Sequence, residues 1–111
     1  RLSAPASSMR REDGSAVAYA MYSVSVQHET AEVLSLAVSP RVRRRGLARS
    51  LMEAVEEHAG EEGAGTIALF VRTDNHQARN LYLSLGYKVL ALCASYYEDG
   101  GDAYLMVKHL E

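Results

Sequence analysis

The sequence predicts a mixed α/β fold with a largely antiparallel sheet, and three observations carry that reading. Apolar residues alternate or run unbroken in segments short enough to be strands. In two other segments they recur at helical spacing instead. The resulting order is strand, strand, helix, strand, helix, strand, strand.

From the N-terminus, residues 1–8 are small and polar with Pro5, and read as a loose lead-in. Glu12-Asp13-Gly14-Ser15 is a turn of the kind that joins hairpin strands. Residues 16–26, rich in Val and Tyr, form the next strand. A polar connection over 27–31 leads to a strand over 32–38, stopped by Pro40.

Between residues 45 and 58, Ala48, Leu51, Met52, Val55 and Ala59 mark one face of a helix, which Gly60, Gly63 and Gly65 end. Residues 66–72 (TIALFVR) are almost continuously apolar and suit a strand covered on both faces. Asn75 is placed to cap a second helix carrying Ala78, Leu81, Tyr82 and Leu85, with Gly86 at its C′ position. Two closing strands over 87–95 and 103–108 flank the loop Glu98-Asp99-Gly100-Gly101-Asp102.

The chain has 111 residues, enough for one core but not two, and no repeat or low-complexity tract divides it, so residues 1–111 read as one domain. A net charge of −2 gives no global attraction to nucleic acid or anionic membrane. No apolar run reaches the roughly 20 residues needed to span a bilayer. The single Cys93 excludes an internal disulfide framework, fits a reducing, cytoplasmic setting, and reads as a small buried hydrophobe. His28, His58, His76 and His109 are scattered without paired ligand spacing, so no metal is expected. The chain starts at Arg1, which reads as a fragment, a processed form or a trimmed chain.

Basic charge is local. Arg41, Arg43, Arg44, Arg45 and Arg49 crowd one segment, from the turn after the strand ending at Val38 into the start of the following helix. The first N–H groups of a helix lack internal partners and carry partial positive charge, so this turn is an anion site in waiting. Gly46 and Ala48 leave the backbone open to a bulky diphosphate. A stretch of arginines there also suits a solvated basic turn, and only the rest of the chain separates the two.

The spacing Arg43-x-x-Gly46-x-Ala48 resembles the pyrophosphate-binding signature of the GNAT acyltransferases. Leu69-Phe70-Val71-Arg72-x-x-Asn75 with Ala78-x-x-Leu81-Tyr82-x-x-Leu85-Gly86-Tyr87 resembles that family's second coenzyme A-binding block. Tyr96-Tyr97-Glu98-Asp99-Gly100-Gly101-Asp102-Ala103-Tyr104-x-Met106 is similar to the catalytic subunits of N-terminal protein acetyltransferases, of the NatA and NatB type with archaeal relatives, and more distantly to RimI. The resemblance implies a GNAT fold lacking the usual first strand and first two helices, whose connecting loop forms one wall of the family's peptide groove. It also implies acetyl-CoA as co-substrate, a protein or peptide N-terminus as acceptor, and an auxiliary subunit or ribosome association as further partners.

Site residues follow from the same resemblance. Leu36, Ala37 and Val38 would hold the pantetheine arm, and the Val38 N–H would face the developing oxyanion where the family's strands part around a bulge. Arg43, Arg44, Arg45, Gly46, Leu47 and Ala48 would hold the pyrophosphate. Asn75 would touch the pantetheine, or serve only as a cap. Tyr82 stands where the family keeps a tyrosine near the thioester sulfur, as the candidate acid; it also suits an amphipathic core position. Glu32 falls where many GNAT enzymes place a general base, and equally suits a solvent-facing strand end. Phe70 occupies the position where RimI-like enzymes carry a glutamate, which leaves Glu32, a water chain or His28. Tyr96 and Tyr97 correspond to residues of the peptide pocket, and also suit strand-end packing.

An activated Cys or Ser is not evident, so direct attack in a ternary complex is expected. The competing readings are a GNAT acting on lysine side chains or small amines, and a coenzyme A-binding subunit without turnover.

Overall fold

The computed structural model describes residues 6–12, 15–39 and 46–110. Six strands form one sheet in the order β1-β2-β3-β4-β6-β5. They are β1 (Ala6–Glu12), β2 (Ser15–Ser25), β3 (Thr30–Val38), β4 (Thr66–Arg72), β5 (Lys88–Cys93) and β6 (Ala103–His109), with α1 (Leu47–Glu61) after β3 and α2 (His76–Ser84) after β4. All pairs are antiparallel except β3 with β4. A parallel pair needs a crossover, and α1 supplies it.

The mixed α/β reading holds, with one more strand than expected. Residues 6–8 are not a loose lead-in: Ala6 pairs with Tyr22, Ser7 with Met21 and Ser8 with Ala20. Small polar residues carry little strand signal by themselves, but the edge of β2 offers them a ladder of backbone partners.

Both helices cover the same face of the sheet. Leu51, Met52, Val55 and Ala59 of α1 join Tyr82 and Leu85 of α2 in one core with Ala20, Tyr22, Val24, Ala31, Val33, Ile67, Leu69, Val71 and Met106. The odd-numbered residues of β4 are the buried ones, so Ala68, Phe70 and Arg72 point to the opposite face. That strand is therefore packed on one side and only half-covered on the other, not buried on both as its unbroken apolar run suggests.

β5 forms the far edge, and five of its six residues are exposed. Cys93 is consequently half-exposed rather than buried, opposite Ala103 at the strand end. Its apolar neighbours are real, but an edge strand is covered by fewer layers than a central one.

Candidate active site

The site is built where two parallel strands part company. β3 and β4 pair only through Thr30–Thr66, Ala31–Ile67 and Glu32–Ala68. Beyond Glu32, β3 stays on β2 while β4 stays on β6. The parting has a local cause. Met21 faces Ser35 but Tyr22 faces Val33, which leaves Leu34 as an extra residue bulged out of β3 and 49 % exposed. A bulge bends and twists its strand, here away from β4. It lies four positions before Val38, earlier in the strand than the expected oxyanion donor.

The gap is a cleft of about 590 Å³, walled by residues 33–36 and Val38 of β3, Leu69–Arg72 of β4, the start of α1, the facing side of α2, and Tyr97. At its α1 end stands Gly46, with φ 74° and no side-chain cap on the helix start. A Cβ added at Gly46 would meet nothing within 4 Å among the described residues. α1 carries no acidic residue in its first turn. Arg49, also lining the cleft, donates to Ser84 Oγ on α2 at 2.6 Å and links the two helices beside the opening. Arg43, Arg44 and Arg45 lie outside the described residues.

Of the expected pantetheine contacts, Leu36 and Val38 line the cleft and pack towards the core, while Ala37 pairs with Tyr19 and is not part of the wall. Leu47 and Ala48 line the cleft too. Asn75 lines it while capping α2, its Oδ1 accepting from the Ala78 N–H at 3.2 Å. Cap and ligand contact are thus compatible, because the cap uses the oxygen and leaves the amide NH₂ as a donor.

Tyr82 is 7 % exposed, lines the cleft and packs edge-on to Tyr87 with ring centroids 5.8 Å apart. Burial pushes its phenol above the ordinary value, with Tyr97 adding to the shift. It is therefore a neutral O–H donor at any physiological pH.

Glu32 sits at the vertex of the parting strands, in the last pair of the parallel ladder, but is not in the wall of the cleft. Ala31 and Val33 on either side are buried under the helices, so Glu32 faces the open side of the sheet with Phe70. Glu32 and Tyr82 thus lie on opposite faces of the sheet, Tyr82 in the core under the helices. His28 lies instead in the turn between β2 and β3, exposed and paired with Ser25 Oγ at 2.9 Å, and takes no part in the cleft.

On the open face, Tyr96 stacks on Phe70 with centroids 4.5 Å apart, and Tyr97 meets Tyr96 edge-on at 4.9 Å. Tyr97 lines the cleft; Tyr96 does not. Sequence reasoning named these tyrosines but missed what holds them: the Arg72 guanidinium lies 4.0 Å over the Tyr97 ring and pairs with Asp99 at 3.1 Å. The available signal was an arginine ending an apolar strand ahead of an Asp-Gly-Gly loop.

Among the described residues no group of three His, Cys, Asp or Glu gathers as a metal site, and no helix is long and apolar enough to cross a membrane.

The architecture and the sequence both have known counterparts. An N-alpha-acetyltransferase of Saccharolobus solfataricus is 40 % identical over 79 residues, covering 70 % of this chain and 47 % of that protein. The NatA catalytic subunit NAA10 of Arabidopsis thaliana is 45 % identical over 83 residues, covering 71 % of this chain and 42 % of that subunit. The crystal structure of the ribosomal-protein-S18-alanine N-acetyltransferase from Escherichia coli superposes with a TM-score of 0.86 at 30 % identity, over 96 % of this chain and 70 % of that one. The chain thus spans about half the length of these two curated relatives. Residues 2–87 match the sequence model of the acetyltransferase (GNAT) family. With that match over most of its length, and with two strands parting beside a helix N-terminus, the chain belongs to the GNAT acetyltransferase family.

Proposed function

We propose that this chain transfers an acetyl group from acetyl-CoA to the α-amino group of protein N-termini, by direct attack in a ternary complex. The observation that carries the reading is the cleft between β3 and β4, which runs from an uncapped helix N-terminus at Gly46 to an aromatic wall at Tyr97. The homologous N-alpha-acetyltransferase and NAA10 support the acceptor class.

The residues present fit a coenzyme A thioester. Its diphosphate calls for clustered backbone donors, which the Leu47, Ala48 and Arg49 N–H groups beyond Gly46 would supply. Arg43, Arg44 and Arg45 precede them in sequence and would add charge. Its pantetheine calls for an extended backbone edge in an apolar slot, the character of Leu36 and Val38 opposite Ala78 and Leu81. When bound, it supplies an acetyl group activated as a thioester.

Three tasks then fall to protein groups. Backbone where β3 parts from β4, with Val38 as the expected residue, would meet the carbonyl oxygen as negative charge develops there. The neutral Tyr82 phenol gives its proton to the departing sulfur, from the helix side. Glu32 takes the proton of the amine from the open side, directly or through one water. An α-amine with pKa about 7.7–8.0 needs only modest help, unlike a lysine amine near 10.4. Tyr97 in the cleft wall, with Tyr96 beside it on Phe70, would face the acceptor's first residues. We further read residues 1–111 as one domain acting in the cytoplasm, with an auxiliary subunit or ribosome association as further partners.

The test is acetyl-CoA turnover on short peptides differing in their first two residues, with coenzyme A binding followed by calorimetry. Turnover that depends on those residues and vanishes when the α-amine is blocked is the expected result. Transfer to internal lysines or small amines would move the acceptor class. Coenzyme A binding without any turnover would make the chain a non-catalytic subunit, and no binding would end the reading.

A further inference from the structure

We propose that Arg72 is a positioning residue that pins the 94–102 loop along the open face of β4 and thereby sets the acceptor side of the cleft; its role in turnover rests on the acetyl-transfer reading.

The loop is held at several points. Arg72 pairs with Ala103 in the β4–β6 ladder, and the Thr73 N–H donates to the Asp102 carbonyl at 3.1 Å. Inside the loop, the Tyr97 N–H donates to the Gly101 carbonyl at 3.0 Å, and the Gly100 N–H to the Tyr97 carbonyl at 2.9 Å. Asp102 Oδ1 accepts from the Ser95 N–H at 2.8 Å. These bonds give the loop its internal shape. They do not fix where its aromatic rings lie relative to the cleft.

Arg72 does. Its guanidinium covers the Tyr97 ring at 4.0 Å and reaches the Asp99 carboxylate at 3.1 Å. Asp99 also accepts from the Gly101 N–H at 2.9 Å, so one carboxylate joins the guanidinium to the loop backbone. Gly101 is where the two elements touch: a Cβ there would collide with the Arg72 guanidinium. Phe70 and Arg72 point to the same face of β4, two residues apart, so Tyr96 on Phe70 and Tyr97 on Arg72 lie side by side along the strand. Tyr97 in turn forms part of the cleft wall.

An exposed ion pair alone would contribute little, since solvent and salt screen it. The planar guanidinium is different because it stacks and donates in one geometry, which an ammonium cannot reproduce. The Asp99 carboxyl is held below the usual range by the Gly101 N–H and then by Arg72, in keeping with a carboxylate that stays charged in this contact.

The test compares the unaltered chain with Arg72→Lys and Arg72→Gln, and with Gly101→Ala as an independent disturbance of the same contact. Amide hydrogen exchange is followed peptide by peptide, and KM is measured separately for acceptor peptide and acetyl-CoA. Faster exchange confined to 94–102 is expected, with an acceptor KM raised roughly 10- to 100-fold and an acetyl-CoA KM unchanged. Exchange in 94–102 that stays slow in the Arg72 variants overturns the pin. Equal rises in both KM values, or no rise in the acceptor KM, overturn the positioning role. Absence of turnover in the unaltered chain overturns the acetyl-transfer reading instead, and hydrogen exchange then decides the pin by itself.

Discussion

Lys108 on β6 donates through Nζ to Glu56 Oε1 on α1 at 2.9 Å, with the glutamate side chain only 13 % exposed. The second carboxylate oxygen of Glu56 accepts from the Tyr87 hydroxyl at 2.8 Å. One carboxylate thus ties the helix that follows Gly46 to the C-terminal half of the sheet.

Removing that carboxylate leaves a half-buried ammonium and a buried phenol without their acceptor. Glu56→Ala is expected to destabilise the fold by about 2 kcal/mol, read as a lower urea midpoint at unchanged slope. Replacing both charges by apolar residues, Glu56→Leu with Lys108→Met, should recover part of the loss. A double variant no better than Glu56→Ala would show that the charge on Lys108 is not what the loss comes from.

Alkaline pH should weaken the fold more steeply than surface tyrosines would explain. Burial raises the Tyr82 phenol, and burial with the Glu56 contact raises Tyr87 well above its ordinary value. Groups with a raised folded pKa hold their protons more tightly when folded. Their stabilising share is complete below the unfolded value of about 10 and is lost as pH rises beyond it. Thermal melts from pH 8 to 11 test this; Tyr87→Phe should flatten the decline.

Tyr82→Phe keeps the ring in the core and deletes only the proton donor. Turnover is expected to fall about 10²-fold, with little change in melting temperature or in coenzyme A affinity. A fall in stability with unchanged turnover would return Tyr82 to a purely packing role.

Glu32→Gln keeps the strand and its pairing with Ala68 while removing the base. The expected loss in kcat/KM on peptide acceptors is about 10²-fold at pH 7, shrinking above pH about 8, where the free α-amine predominates. A pH-independent loss would point to substrate placement rather than proton removal.

Gly46→Ala introduces a Cβ at a left-handed backbone position with no clash among the described residues. The cost is conformational, roughly 1–2 kcal/mol, and it falls at the helix start proposed to meet the diphosphate. Calorimetry should show coenzyme A affinity reduced by about tenfold, with core stability changed far less. Equal binding by both chains would remove Gly46 from the site.

Much of this fold was legible because local patterns and tertiary packing agree. The strand over Thr66–Arg72 begins and ends where its apolar run does, and Asn75 and Gly86 mark the limits of α2 as capping chemistry requires. Ala6–Glu12 was not legible in full, since a small, polar edge strand takes its order from the partner it pairs with. Cys93 was misjudged for a related reason: an apolar run shows affinity for cover, and only the position of β5 at the sheet edge shows that cover is missing.

The site divides along the same line. The sequence alone determined the family signature, a helix opening after the basic turn and the residue types suited to proton transfer, because these are local in the chain. Only the tertiary structure decided that a bulge at Leu34 parts β3 from β4, that Glu32 and Tyr82 lie on opposite faces of the sheet, and that the Arg72 guanidinium lies over the Tyr97 ring. Strand register and the meeting of residues far apart in sequence depend on how a whole sheet pairs and twists, and no short window of residues contains that information.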